Sequence, residues 1–129
     1  MAGGMAVRVQ LAEDEPNIVE SLTFLLERAG FDVAAESDGQ AALAAALAKP
    51  PDVMILDVML PALDGLEVLR RLRADARGKR VPVIMLTAKG QRLDREIALG
   101  CGADLFITKP FSNAEVIGAV RRLAGVGEA

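Results

Sequence analysis

The run Val53-Met54-Ile55-Leu56, apolar at every position and closed by Asp57, narrows the choice of fold more than any other stretch of the chain. It is too short for a helix, and Pro50 and Pro51 bound it on the other side. A strand with one face in water alternates apolar and polar side chains. A strand without alternation is covered on both faces, the usual condition in a parallel sheet. Parallel neighbours need crossover connections, so helices must flank this strand in the sequence.

They do. Val7, Val9 and Leu11 alternate with Arg8 and Gln10 as a first strand that stops at Glu13-Asp14-Glu15 and Pro16. Ile18, Leu22, Leu25, Leu26 and Ala29 then recur at helical spacing, with Gly30 as the stop. Phe31 to Ala35 reads as a second strand, and Ser37-Asp38-Gly39 opens an alanine-rich helix with Leu43 and Leu47 on one face. After Asp57 the residues Pro61, Asp64 and Gly65 make a turn, Leu66, Leu69 and Leu72 mark a third helix, and Gly78 breaks it. A fourth strand is predicted from Val81 to Leu86, ending at Thr87, and a fourth helix carries Leu93 and Ile97 and stops at Gly100 and Gly102. Leu105-Phe106-Ile107 forms a fifth strand running into Thr108, Lys109 and Pro110, and Val116, Ile117, Val120 and Leu123 pattern a last helix. The expected class is α/β, a doubly wound parallel sheet of five strands with five helices on its two faces.

Composition agrees with one domain over residues 1–129, with a core of about 7–124. Hydrophobic residues are 52% and charged residues 26%, enough apolar surface for a core. The net charge of -3 and the lack of a continuous basic stripe predict that this chain alone binds no nucleic acid. Cys101 is the one cysteine, so no internal disulfide can form, and with no His the imidazole bases and the usual zinc sites are excluded. Met1 to Ala6 lacks the layout of a secretory signal, and no apolar run approaches the roughly eighteen residues of a membrane span, so a reducing cytoplasm is the expected location.

In doubly wound sheets functional groups collect where the strands end at their carboxyl edge. There the first strand delivers Glu13 and Asp14, the third Asp57, the fourth Thr87 and the fifth Lys109. Taken singly, each is as well read as a turn cap, a solvated acid or a surface residue; arriving on one edge together they are not. Carboxylates brought close repel unless a cation sits among them, and an oxygen-only set suits a hard divalent ion, Mg²⁺ best. With Lys109 and Thr87 to neutralise a transferring phosphoryl group, Asp57 is the expected attacking carboxylate. Cys101, which has no neighbouring base in the sequence, is read as inert, and Met54, Met59 and Met85 as core or strand-end fillers.

These residues lie in five motifs: Leu11-Ala12-Glu13-Asp14-Glu15-Pro16; Pro51 to Pro61 with Asp64-Gly65; Leu86-Thr87-Ala88; Gly102-Ala103-Asp104; and Thr108-Lys109-Pro110-Phe111. In this order they resemble the response-regulator receiver domain of bacterial two-component signalling, over roughly residues 7 to 124. The resemblance implies a CheY-like sheet of order 2-1-3-4-5, one of the common strand orders of doubly wound folds. It implies that Asp57 accepts phosphate from a sensor histidine kinase or histidine phosphotransfer protein. It further implies that Asp14, Asp57 and the Met59 carbonyl ligate Mg²⁺, for which Mn²⁺ can substitute, with Glu13 acting mainly through water. Thr87, Ala88 and Lys109 would contact the phosphoryl oxygens, Phe106 would change rotamer with Thr87, and Lys109-Pro110 would be cis. The regulated face would be the fourth helix, fifth strand and fifth helix, acting on a downstream protein, an output domain or a second copy.

Some positions depart from the family pattern. Glu13 stands where many members have Asp, and Phe106 where Tyr is frequent. Gly100, Leu105 and Ala119 stand where the winged-helix branch usually places the charges that bridge its dimer, so Leu105 is expected to offer apolar contact there instead. Two other readings fit less of the site: a pseudo-receiver that only binds partners, and an Mg²⁺-dependent hydrolase with an aspartyl-phosphate intermediate.

Overall fold

A computed structural model describes residues 6–88 and 100–125. Five parallel strands, β1 (Arg8–Ala12), β2 (Asp32–Glu36), β3 (Val53–Asp57), β4 (Val83–Ala88) and β5 (Leu105–Lys109), form one sheet in the order β2-β1-β3-β4-β5. The described helices are α1 (Pro16–Arg28), α2 (Gly39–Ala48), α3 (Gly65–Ala74) and a C-terminal α4 (Asn113–Ala124). The helix expected around Leu93 and Ile97 lies outside the described residues, so the last of the expected helices is α4 here. No described helix is long and apolar enough to cross a membrane.

Every residue of β3 is buried, as its unbroken apolar run predicts. The sheet divides the core in two. Met54, Leu56 and Met85 point to one side with Ala42, Ala46, Leu69 and Leu72 from α2 and α3. Val53, Ile55, Ile84 and Leu86 point to the other with Leu22 and Leu26 from α1 and Val116 and Val120 from α4. Helices thus cover both faces, and the turns that reverse direction collect at the two edges.

Local chemistry sets the helix starts. Asp38 and Asp64 cap α2 and α3, accepting from Ala41 N at 2.7 Å and Glu67 N at 3.0 Å. Ser112 and Glu115 close a reciprocal capping box on α4. Gly30 follows α1 with φ 96°, a left-handed conformation that costs glycine nothing.

Several details correct the sequence reading. Alternation in β1 points Gln10 at solvent, but β1 is an inner strand and Gln10 is buried, its Nε2 donating to Ala42 O at 2.9 Å. The closest face of α2 is Ala42 and Ala46, with Leu43 and Leu47 only partly buried. Small residues let this helix approach the sheet. In α3, Val68 is buried and Leu66 only partly so, and the helix stops at Ala74, before Gly78. Strand β4 begins after Pro82, not at Val81, and continues through Thr87 to Ala88 because those two pair with Thr108 and Lys109. Met54 and Met85 are core fillers, whereas Met59 is 63% exposed and fills nothing.

Candidate functional site

β1, β3, β4 and β5 end on the same edge, where Glu13, Asp14, Asp57 and Lys109 come together and Thr87 lies near the end of β4. Glu13 follows β1, Asp57 closes β3, Thr87 lies near the end of β4, and Lys109 closes β5. Asp57 is opposite Leu86, and Lys109 is opposite Ala88. Glu13, Asp14 and Asp57 each bring a carboxylate oxygen into a group within 4.8 Å of one another. Glu13, Asp57 and Thr87 are buried and Asp14 is exposed, so the cluster opens to solvent on one side.

Lys109 Nζ bridges the acids. It donates to Asp57 Oδ2 at 2.9 Å and stands 3.2 Å from Glu13 Oε1. The second approach is an ion pair without hydrogen-bond alignment, which leaves Glu13 Oε1 the only buried side-chain oxygen without a hydrogen bond among the described residues. Glu13 Oε2 accepts from Glu15 N at 3.1 Å, and Asp57 Oδ1 accepts from Met59 N at 2.9 Å. Burial is the main reason the Glu13 carboxyl is pushed up to about 7, reinforced by Asp57, while the Glu15 N–H and the Lys109 cation oppose it. Burial works against the Lys109 ammonium, but Asp57 and Glu13 outweigh it and hold its pKa above the ordinary lysine value.

The other expected residues lie around this centre. Ala88 is exposed at the end of β4, and Met59, two residues past Asp57, turns its side chain outward while its backbone N–H holds the Asp57 carboxylate. Phe106 lies in β5 opposite Met85 and packs against the core on the α2–α3 side. The Lys109-Pro110 peptide is cis. Cys101 is a free, partly buried thiol packed against the core on the α2–α3 side, away from this edge.

Sequence reasoning did not assign a role in the site to Gly65. It is the first residue of α3, its N–H donates to Val58 O at 2.9 Å, and a Cβ built there would collide with the carbonyl oxygen of Asp57. The signal was the Asp64-Gly65 pair after Pro61, read as a turn and as the tail of the second motif. A second omission is the open groove of about 590 Å³ beside Lys109, lined by Asn17, Ile18, Ser21, Pro110 and Phe111. Its walls come from separate elements, so no single segment of sequence announces it.

The sequence profile described as the response regulator receiver domain matches residues 9–121. The chain belongs to this family. Receiver domains of response regulators are the phospho-accepting switches of two-component systems. Among relatives, the alkaline phosphatase synthesis transcriptional regulatory protein PhoP of Bacillus subtilis is 44% identical over 119 residues, covering 92% of this chain and 49% of the relative. The DNA-binding response regulator MtrA of Mycolicibacterium smegmatis is 42% identical over 117 residues, covering 91% of this chain and 50% of the relative. This receiver domain therefore spans about half the length of the curated relatives it matches. Among solved structures, the receiver domain of a sensor histidine kinase from Pseudomonas aeruginosa superposes with a TM-score of 0.87 at 34% identity, covering 94% of this chain and 99% of that one. That structure has a magnesium ion coordinated in its active-site cleft.

Proposed function

We propose that Asp57 is the phospho-acceptor and that the donor is a phosphohistidine on a sensor histidine kinase or histidine phosphotransfer protein. The observation that carries this reading is the placement of Lys109 Nζ, 2.9 Å from Asp57 Oδ2, beside an acid group with one buried oxygen left without a hydrogen bond. A carboxylate held by Lys109 and the Met59 N–H is oriented for attack, and the same cation is within reach of an incoming phosphoryl group.

The donor set fits a hard divalent ion: it is all oxygen, anionic, open to water through Asp14, and includes the unsatisfied Glu13 Oε1. Asp14, Asp57 and the Met59 carbonyl would hold Mg²⁺, or Mn²⁺ in its place, with Glu13 acting through water. When bound, the ion supplies charge neutralisation for the phosphoryl oxygens.

The chain's own residues account for the rest. The donor docks in the groove beside Lys109, where Asn17, Ser21 and Asn113 offer polar contacts on apolar walls. An Asp57 carboxylate oxygen forms the new P–O bond as the P–N bond to the imidazole breaks, and the departing imidazole keeps the electron pair. Lys109 then exchanges its Asp57 contact for a phosphoryl oxygen, and the Thr87 hydroxyl and the Ala88 N–H donate to the others. Inward movement of Thr87 frees space that Phe106 enters by changing rotamer. The exposed surface of β5 and α4 changes with it, including the groove of about 350 Å³ lined by Leu105, Phe106, Ala119 and Arg122, and Leu105 offers a partner or second copy apolar contact there.

The test is incubation with acetyl phosphate and Mg²⁺, read by intact mass. One added phosphoryl group, lost with EDTA and in Asp57→Ala, is expected. A folded, Mg²⁺-binding protein that gains no phosphate would instead support a partner-binding pseudo-receiver.

A further inference from the structure

The eleven residues from Arg70 to Arg80 hold six of the chain's fifteen Lys and Arg and one acid, Asp75. This is a net charge of +5 within a chain whose total is -3. Part of the excess has a local explanation. Arg70 and Arg71 share Glu67 at 3.0 Å each, one turn away on α3, and Arg77 is paired with Asp75 at 2.9 Å. Arg73 turns inward and ties α3 to Gly102 O, Gly78 O and Asp104. Lys79 and Arg80 are left. Both are exposed, and neither has an ion-pair partner among the described residues.

Arg77, Arg80 and Asp52 line a shallow groove of about 290 Å³ together with Pro50, Pro51, Val81 and Pro82. The Asp52 carboxylate is engaged by the Arg8 N–H at 2.8 Å. The groove lies at the amino ends of β3 and β4, whose carboxyl ends carry Asp57 and Thr87. A full strand, on the order of 16 Å, separates it from the phosphorylation edge.

We propose that this groove, with Arg80 in its wall and exposed Lys79 next to it in the chain, docks an acidic segment of a partner protein, and does so whether or not Asp57 is phosphorylated. Charge complementarity selects an acidic occupant: guanidinium groups match carboxylates in geometry as well as sign. The scale selects a peptide over a nucleic acid. Three prolines and a valine make a short apolar floor for one or two side chains, two unpaired cations serve two or three carboxylates, and the remainder of the chain carries a net charge of -8 that repels a long polyanion. Because the contact lies a strand's length from Asp57, it can hold the protein beside a partner without obstructing phosphoryl transfer.

The experiment measures fluorescence anisotropy of a labelled octapeptide of six glutamates and two leucines with the whole chain, at low and physiological salt. An uncharged peptide of the same length and a DNA duplex serve as comparison probes. The expected result is salt-sensitive binding of the acidic peptide that weakens at least tenfold in Lys79→Glu/Arg80→Glu and several-fold in the milder Lys79→Gln/Arg80→Gln. Binding is unchanged in Arg28→Glu/Arg121→Glu, two cations on α1 and α4, and unchanged by acetyl phosphate. Equal loss in that variant would overturn the proposal by showing attraction to cations in general. Tighter binding of the duplex, or loss of peptide binding on phosphorylation, would overturn it as well.

Discussion

Gly65 is seated against Asp57. A Cβ on Gly65 would collide with the Asp57 carbonyl oxygen and lie 2.9 Å from Val58 Cα, so the backbone leaving β3 and the first turn of α3 touch with no room for a side chain. The loop that carries Met59 is held in the same place, because Gly65 N donates to Val58 O.

Gly65→Ala should therefore push α3 away from the end of β3. Overpacking against backbone costs about 1–3 kcal/mol, and the displaced loop should also weaken Mg²⁺ binding several-fold. Urea unfolding and metal titration check the two effects separately. A variant with wild-type values in both would mean that the loop yields without cost.

The raised Glu13 carboxyl gives a pH prediction. Its pKa in the metal-free fold is about 7 against an ordinary 4.5, so between these values the folded state binds more protons than the unfolded state. Metal-free stability should fall as pH rises from 4.5 to 7, by at most about 1.4 kcal/mol per pH unit for one proton. Mg²⁺ binding near pH 6 should release a proton and weaken as pH drops further. Glu13→Gln should flatten the stability profile. Calorimetry in buffers of different ionisation enthalpy measures the proton directly.

Lys109→Met removes the one cation among the described residues that bridges the buried acids, while keeping much of the apolar stem. Leaving Asp57 and Glu13 uncompensated should destabilise the metal-free protein, by less than the roughly 3–5 kcal/mol of a fully buried pair because the Lys109 side chain is a quarter exposed. Saturating Mg²⁺ should restore much of this, since the ion answers the same charge. Acetyl phosphate labelling should stay low even with Mg²⁺ present. Thermal melts with and without the metal, beside the mass assay, separate the structural from the chemical part.

Ala62 has φ 69°, a conformation that L residues avoid at a cost of roughly 1–2 kcal/mol. Ala62→Gly relieves it but gives the unfolded chain more freedom, worth about 0.4–1 kcal/mol. The balance is a gain of about 0.5 kcal/mol, readable as a shift in the urea midpoint with an unchanged slope.

The sheet and its chemical edge were legible because both depend on short-range patterns. Apolar runs give the strands, and the residue after each run gives the edge, as with Asp57 after Leu56. Properties that depend on neighbours from elsewhere were not. Gln10 looks exposed until α2 is placed over β1, with Ala42 O as its acceptor. Leu43 and Leu47 look like the packing face of α2 until the sheet's closeness selects Ala42 and Ala46. The extent of β4 depends on its pairing with Thr108 and Lys109, and the constraint on Gly65 on the path of β3.

β3 is an inner strand, paired with β1 and β4 and buried along its whole length. The residue that would receive a signal is thus fastened to the least yielding part of the molecule, where local opening approaches the cost of global unfolding. Such a strand does not shift when its last side chain gains charge. The disturbance is displaced outward to whatever can give way, so the centre keeps the record and the periphery displays it.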